Sequence, residues 1–218
     1  MNQRYDLLIF DWDGTLFDSI GWIVDCLRHA ADCCGLEIPS EHQARSVIGL
    51  SLQQAMQQLY PGSSEAQAQA LARHYRTFYH TQSSDLGVFA QVPEVLSTLR
   101  EQGYQLAVAT GKARSGLDPA LAQTRLDGLF HATRCACETA SKPDPRMVFE
   151  ILDELGMAAE RTLLIGDSLH DLRMGHRAGV DVLAVTCGAN THAELAELHP
   201  QAIIEHPVDL LPLLTRGV

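Results

Sequence analysis

Two aspartates two positions apart are the groups in the chain best placed to do chemistry: Asp11 and Asp13, in FDWDGT, follow the apolar run LLIF. Along an extended strand, residues two apart face the same side at about 6.6 Å spacing, so both carboxylates can address one ligand. Like charges raise one another's pKa and burial disfavours ionisation, so such a pair needs a cation or a shared proton. Magnesium supplies the first. Taken alone, Asp13-Gly14 is equally compatible with plain turn chemistry.

Three further places carry matching groups. Thr110 ends the run QLAVAT and is followed by Gly111, whose amide can approach a phosphate oxygen without side-chain obstruction. Lys142, in SKPDP, lies after a stretch read as a strand end, in a Pro-flanked loop where its long ammonium can reach a phosphoryl oxygen as a point charge. Asp167 and Asp171, in GDSLHD, follow an apolar strand and are spaced to share one face of a first helical turn. Each has an ordinary explanation by itself: a turn, a solvated lysine, a helix start whose dipole favours acids. Four such coincidences at four strand ends argue instead for one site.

The elements that must position these groups alternate. Short apolar runs at LLIF, QLAVAT, TLLIG, DVLAVT and, more weakly, QAIIE read as parallel strands buried on both faces. Helical patterns lie between them, opening at Pro93, at Asp144-Pro145 and at Ser168, and the latter two stop at Gly156 and near Gly179. Strand and helix in alternation predict an α/β, doubly wound parallel sheet with helices on both faces. Residues 19–84 carry no credible strand and read as three or four helices, with helix starts at Ser19, Ser40 (boxed with Gln43), Ser51 and Ser63 or Ser64. The expected organisation is a core of residues 1–18 and 85–218 with a helical insertion of 19–84. In such sheets ligands bind outside the carboxyl ends of the strands, where an insertion after the first strand would stand as a lid.

With 218 residues, 46% of them apolar, the chain can bury a real core. A net charge of −11 repels nucleic acid and anionic membrane, so neither is expected as a partner. The same field repels a phosphorylated substrate unless positive charge is placed locally, which gives weight to the only lysines, Lys112 and Lys142, both read as following strand ends. Neither a signal peptide nor a membrane-length apolar segment is read, which makes the cytoplasm the default. The six cysteines lack paired CxxC spacing and read as reduced small apolar residues, although Cys135 and Cys137 follow a strand. The ten histidines show no metal-binding spacing.

FDWDGTLFDS, AVATG, SKPDP and LLIGDSLHD, in that order, resemble the four motifs of the haloacid dehalogenase superfamily, and the resemblance covers nearly the whole chain. It is greatest to the phosphoglycolate phosphatase-like branch, whose Rossmann-like core carries a helical cap between the first two motifs. The resemblance implies Asp11 as nucleophile forming an aspartyl phosphate, and Asp13 as general acid and base. It also implies Mg²⁺ held by Asp11, the Asp13 backbone carbonyl and Asp167, with Asp171 orienting that shell or holding Lys142. Thr110, Gly111 and Lys142 would stabilise phosphoryl oxygens. Thr15 and Gly49 are expected to contact substrate, Gly49 because the Ile48-Gly49-Leu50 break, with Arg45, resembles the loop that such caps lower onto the substrate, although it also reads as a simple helix connection. Lys112 and Arg114 are read either as contacts to the substrate's far end or as solvated. The expected substrate is a small phosphorylated metabolite, phosphoglycolate-like, and the protein a monomer or homodimer. A phosphomutase or a pyrophosphatase would use the same core. A dehalogenase is disfavoured by Asp13, and a receiver-like phospho-acceptor by the position of the acidic pair.

Overall fold

The computed structural model describes residues 4–81 and 86–216. Six strands, β1 (Leu7–Phe10), β2 (Gln105–Thr110), β3 (Ala132–Cys135), β4 (Thr162–Gly166), β5 (Asp181–Val185) and β6 (Ala202–Ile204), form one sheet in the order β3-β2-β1-β4-β5-β6. Every neighbouring pair is parallel. Strand β1 lies at the centre, with Leu8 opposite Leu106 on one side and Leu163 on the other. Its four apolar residues alternate between two cores. Leu8 and Phe10 join a cluster with Leu96, Leu99 and Leu117 from helices α5 (Val92–Glu101) and α6 (Arg114–Thr124). Leu7 and Ile9 join Met147, Ile151 and Leu172 from α7 (Arg146–Leu155) and α8 (Leu169–Ala178). A strand buried on both faces has no polar side to alternate with, which is why LLIF reads as a continuous apolar run.

The edge strand β3 is the element for which no apolar run announces itself. Its sequence, ATRC, is only half-buried at its middle, and Arg134 turns outward to pair with Glu150 and Glu154 of α7. Cys135 is therefore the last residue of this strand, and Lys142 lies well beyond it rather than directly after a strand end. All six cysteines are free thiols. The helix expected to start at Pro145 begins one residue later, with Pro145 at its N-cap and the Asp144 carboxylate accepting from the Arg146 amide.

Between β1 and α5 stand four helices, α1 (Ile20–Cys33), α2 (Glu41–Arg45), α3 (Leu52–Leu59) and α4 (Glu65–Tyr79), packed around a separate cluster that includes Ile23, Leu27, Val47, Met56 and Leu71. Ser40 and Ser64 form capping boxes with Gln43 and Gln67, and the Ser51 hydroxyl accepts from the Gln54 amide. Each satisfies amides the first helical turn leaves unpaired. Ser19 precedes α1 without a side-chain cap bond, and its hydroxyl donates to Asp13. The expected junction at 84 and 85 lies outside the described residues. No helix among the described residues is long and apolar enough to cross a membrane.

Candidate active site

The strand order reverses direction about β1 and β4, and their carboxyl ends form the crevice where such sheets bind ligands. Asp11 follows β1 and donates its amide to the Ile165 carbonyl of β4. Asp167 and Asp171 follow β4, Asp171 being the third residue of α8 and the partner of Ser168 in a capping box. The topology thus gathers groups 160 positions apart in the chain because two central strands are neighbours.

Three carboxylates and one ammonium meet there, all with 2% exposure or less. Lys142 Nζ stands 2.7 Å from Asp11 Oδ1 and 2.6 Å from Asp171 Oδ1. Burial works against its charge, but Asp11 and Asp171 outweigh it and hold the ammonium above its usual pKa. Asp11 Oδ1 also accepts from the Trp12 amide at 2.7 Å, which fixes the carboxylate plane. Asp11 Oδ2 is buried without a hydrogen-bond partner among the described residues. Asp171 Oδ2 is held by the Ser168 hydroxyl and amide at 2.6 and 3.1 Å. Asp167 Oδ1 accepts from the Thr15 hydroxyl at 2.8 Å and Oδ2 from the Ala189 amide at 2.7 Å.

This cluster is short of positive charge. Burial first, and the Asp171 charge second, push the Asp11 carboxyl well above the usual carboxylate range and raise Asp167 to about 7. One oxygen from each of Asp11, Asp167 and Asp171 lies within 4.8 Å of the others, the acidic grouping among the described residues that could hold a metal ion. An all-oxygen donor set suits a hard divalent cation. With the unpartnered Asp11 oxygen, the residues fit one.

Asp13 stands outside the cluster. Its carboxylate accepts from the Ser19 hydroxyl at 2.7 Å and pairs with Lys112 Nζ at 3.1 Å, and it faces a cavity of about 170 Å³ between the sheet and the four helices. Asp11, Thr110, Gly111 and Lys112 share that wall, and Gly49 closes it from the opposite side. Thr110 Oγ1 accepts from the Lys112 amide, leaving its proton to donate. Gly111 has a second reason to be glycine: a Cβ there would lie 2.4 Å from the Leu50 carbonyl oxygen and 2.5 Å from that of Gly49. Thr15, expected to touch substrate, is instead fully buried, with its hydroxyl spent on Asp167. Lys112 is neither solvated nor free, since Asp13 and the Tyr79 hydroxyl at 3.0 Å hold it. Arg114 is occupied by Glu138, Asp118 and Thr133, and Arg45 by Glu41 and the Gly188 carbonyl. Cys137 meets the Arg114 amide rather than the site.

Besides Ser19 to Asp13, several polar contacts join the helices to the sheet half. Lys112 reaches Tyr79, Arg45 Nη1 donates to Gly188 O at 3.0 Å, the Ser51 amide donates to Ser141 Oγ at 2.7 Å, and His170 Nε2 meets Ser46 O at 2.9 Å. Tyr79, Ser141 and Ala189 carry no role in the sequence reading, and Ser19 appears there only as a helix start. Tyr79 carried a usable signal, its four-residue spacing from Tyr75 on one helix face.

A parallel sheet with a buried aspartate cluster at its switch point and helices inserted after the first strand defines an α/β protein with a Rossmann-like core. The haloacid dehalogenase-like hydrolase family matches residues 8–185, and the chain belongs to it. It is 33% identical to a probable phosphatase of Dickeya dadantii, over 91% of this chain and 89% of that one. It is 28% identical to a pyrophosphatase of Bacillus cereus, over 98% of both. Among solved structures, a predicted phosphoglycolate phosphatase of Haemophilus somnus 129pt superposes with a TM-score of 0.87 at 25% identity, covering 98% of this chain and 99% of that one.

Proposed function

We propose that the protein hydrolyses a small phosphomonoester through an aspartyl phosphate on Asp11, with the four-helix insertion acting as a cap and Mg²⁺ as cofactor. The observation that carries this reading is Asp11 Oδ2: a buried, unpartnered carboxylate oxygen beside a cavity, with its sister oxygen fixed by Lys142 and the Trp12 amide. A carboxylate so held attacks phosphorus in line. The P–O bond to the alcohol breaks as the O–P bond to Asp11 forms, splitting one difficult displacement into two. Asp13 gives its proton to the departing alkoxide, then takes a proton from the water that cleaves the acyl phosphate, returning both aspartates to their starting states. Thr110 donates its free hydroxyl proton to a phosphoryl oxygen, and Lys142 supplies charge from below. Asp171 holds Lys142, and Thr15 and the Ala189 amide hold Asp167.

Asp11, Asp167 and, at the margin, Asp171 are the side chains that would hold the cation. When bound there, a divalent ion supplies the charge that keeps these carboxylates ionised and screens the phosphoryl oxygens. Membership of a hydrolase family sets the receiver-like reading aside. The test is phosphate release from a panel of phosphate esters with Mg²⁺ or with chelator. Release that needs metal and falls by at least about 10³-fold in Asp11→Asn supports the proposal; an Asp11→Asn variant that keeps most of its turnover would sink it.

A further inference from the structure

The wall of the cavity opposite Asp11 is apolar. It is built by Ile23 and Leu27 of α1, Val47 before the Gly49 break, Leu52 and Ala55 of α3, and the Tyr75 ring of α4. Tyr75 stacks on Tyr79 with ring centroids 5.9 Å apart, and burial, with the Asp13 charge second, keeps its hydroxyl neutral. The two lysines nearest this part of the cavity are both already paired. Lys142 lies beneath Asp11, bound to two aspartates. Lys112 is paired with Asp13 and Tyr79. Arg76 and His80 also line the cavity, but both are exposed, toward the C-terminal end of α4 and its rim.

Resting on the phosphatase reading above, we infer that the preferred substrate is a phosphomonoester whose organic part is compact, uncharged and largely apolar. A second negative group within two or three atoms of the ester oxygen would be placed between the Asp13 carboxylate and the aliphatic wall. Against the aliphatic wall it would lose its water without gaining a partner. An apolar group would instead cover Ile23, Leu27, Leu52 and the Tyr75 ring. Size is compatible with a small group. A cavity of about 150 Å³ lined by aliphatic and aromatic side chains holds one benzene ring, so the 170 Å³ here has room for an organic part of about that size.

The experiment compares kcat/KM of the intact enzyme, with saturating Mg²⁺, for benzyl phosphate, 2-phosphoglycolate and pyrophosphate. Benzyl phosphate and 2-phosphoglycolate both release a primary alcohol, so their ratio reports on recognition more than on leaving-group chemistry. The expected result is benzyl phosphate ahead of both anionic substrates by at least about tenfold. A 2-phosphoglycolate or pyrophosphate value equal to or above that of benzyl phosphate overturns the inference while leaving the phosphatase reading intact. No turnover of any of these, nor of an activated aryl phosphate, overturns both. Leu52→Lys, at a half-buried helix start, adds the missing cation, and in the folded variant the ratio should move toward 2-phosphoglycolate by about tenfold. An unmoved ratio counts against the assignment of the apolar wall.

Discussion

The floor and the roof of one cavity are built on opposite principles. The floor is a set of charges with almost no exposure, each fixed by one or two named donors, on loops at the ends of central strands. The roof is a set of aliphatic and aromatic side chains on helices that own a separate hydrophobic cluster. The difference teaches where chemistry and selectivity are kept. Changes in the floor should damage every substrate alike, whereas changes in the roof should alter which substrate is taken.

The heaviest blow to this division after Asp11→Asn is Lys142→Met. It strands Asp11 and Asp171 without their shared cation, and removing one partner from a buried ion pair costs about 3–5 kcal/mol, to be read from urea unfolding of the metal-free protein. Loss of stability well under 1 kcal/mol would mean the ammonium contributes little to the floor. Next, Thr110→Ala should lower kcat by about 10²-fold for all substrates tested, as expected for one lost donor to transferring oxygens. A loss confined to one substrate would move Thr110 from floor to roof.

A smaller effect tests the charge deficit through pH. Unfolded, Asp167 gives up its proton near 3.8; folded and metal-free, it keeps it to about 7. Between these values the native state binds more protons, so unfolding free energy falls as pH rises. Metal-free protein should therefore melt at lower temperature at pH 7 than at pH 5. The Tm gain on adding Mg²⁺ should be larger at pH 8 than at pH 5, a calorimetric comparison that equal gains would contradict. The mildest change is Tyr79→Phe, which deletes the hydroxyl bonded to Lys112 and should cost about 0.5–1.5 kcal/mol in stability while shifting substrate ratios more than kcat.

The same contrast governs what sequence could tell. Floor residues are legible because a carboxylate or a threonine next to an apolar strand is out of place unless something uses it, and Asp11, Asp13, Thr110 and Asp167 stand out on that ground; Lys142, beyond the end of β3, stands out instead as one of two lysines in the chain. The sheet is legible because strands buried on both faces write themselves as apolar runs. The edge strand β3 does not, since Arg134 breaks its run to meet two glutamates. Roof residues are invisible for the opposite reason: Ile23 or Leu27 lining a cavity is the same letter as a leucine in a core, and only packing decides which it is. Thr15 donates its hydroxyl to Asp167, which follows the adjacent strand, a pairing that its place in the first motif does not show. Ala189 acts through a backbone amide, which any residue possesses.

The polar contacts between helices and sheet half carry a mechanical consequence. Lys112 to Tyr79, Arg45 to Gly188, Ser51 to Ser141 and His170 to Ser46 are each worth about 0.5–1.5 kcal/mol net. No one of them carries the joint, so a variant that removes a single bond should loosen the roof over the floor without releasing it.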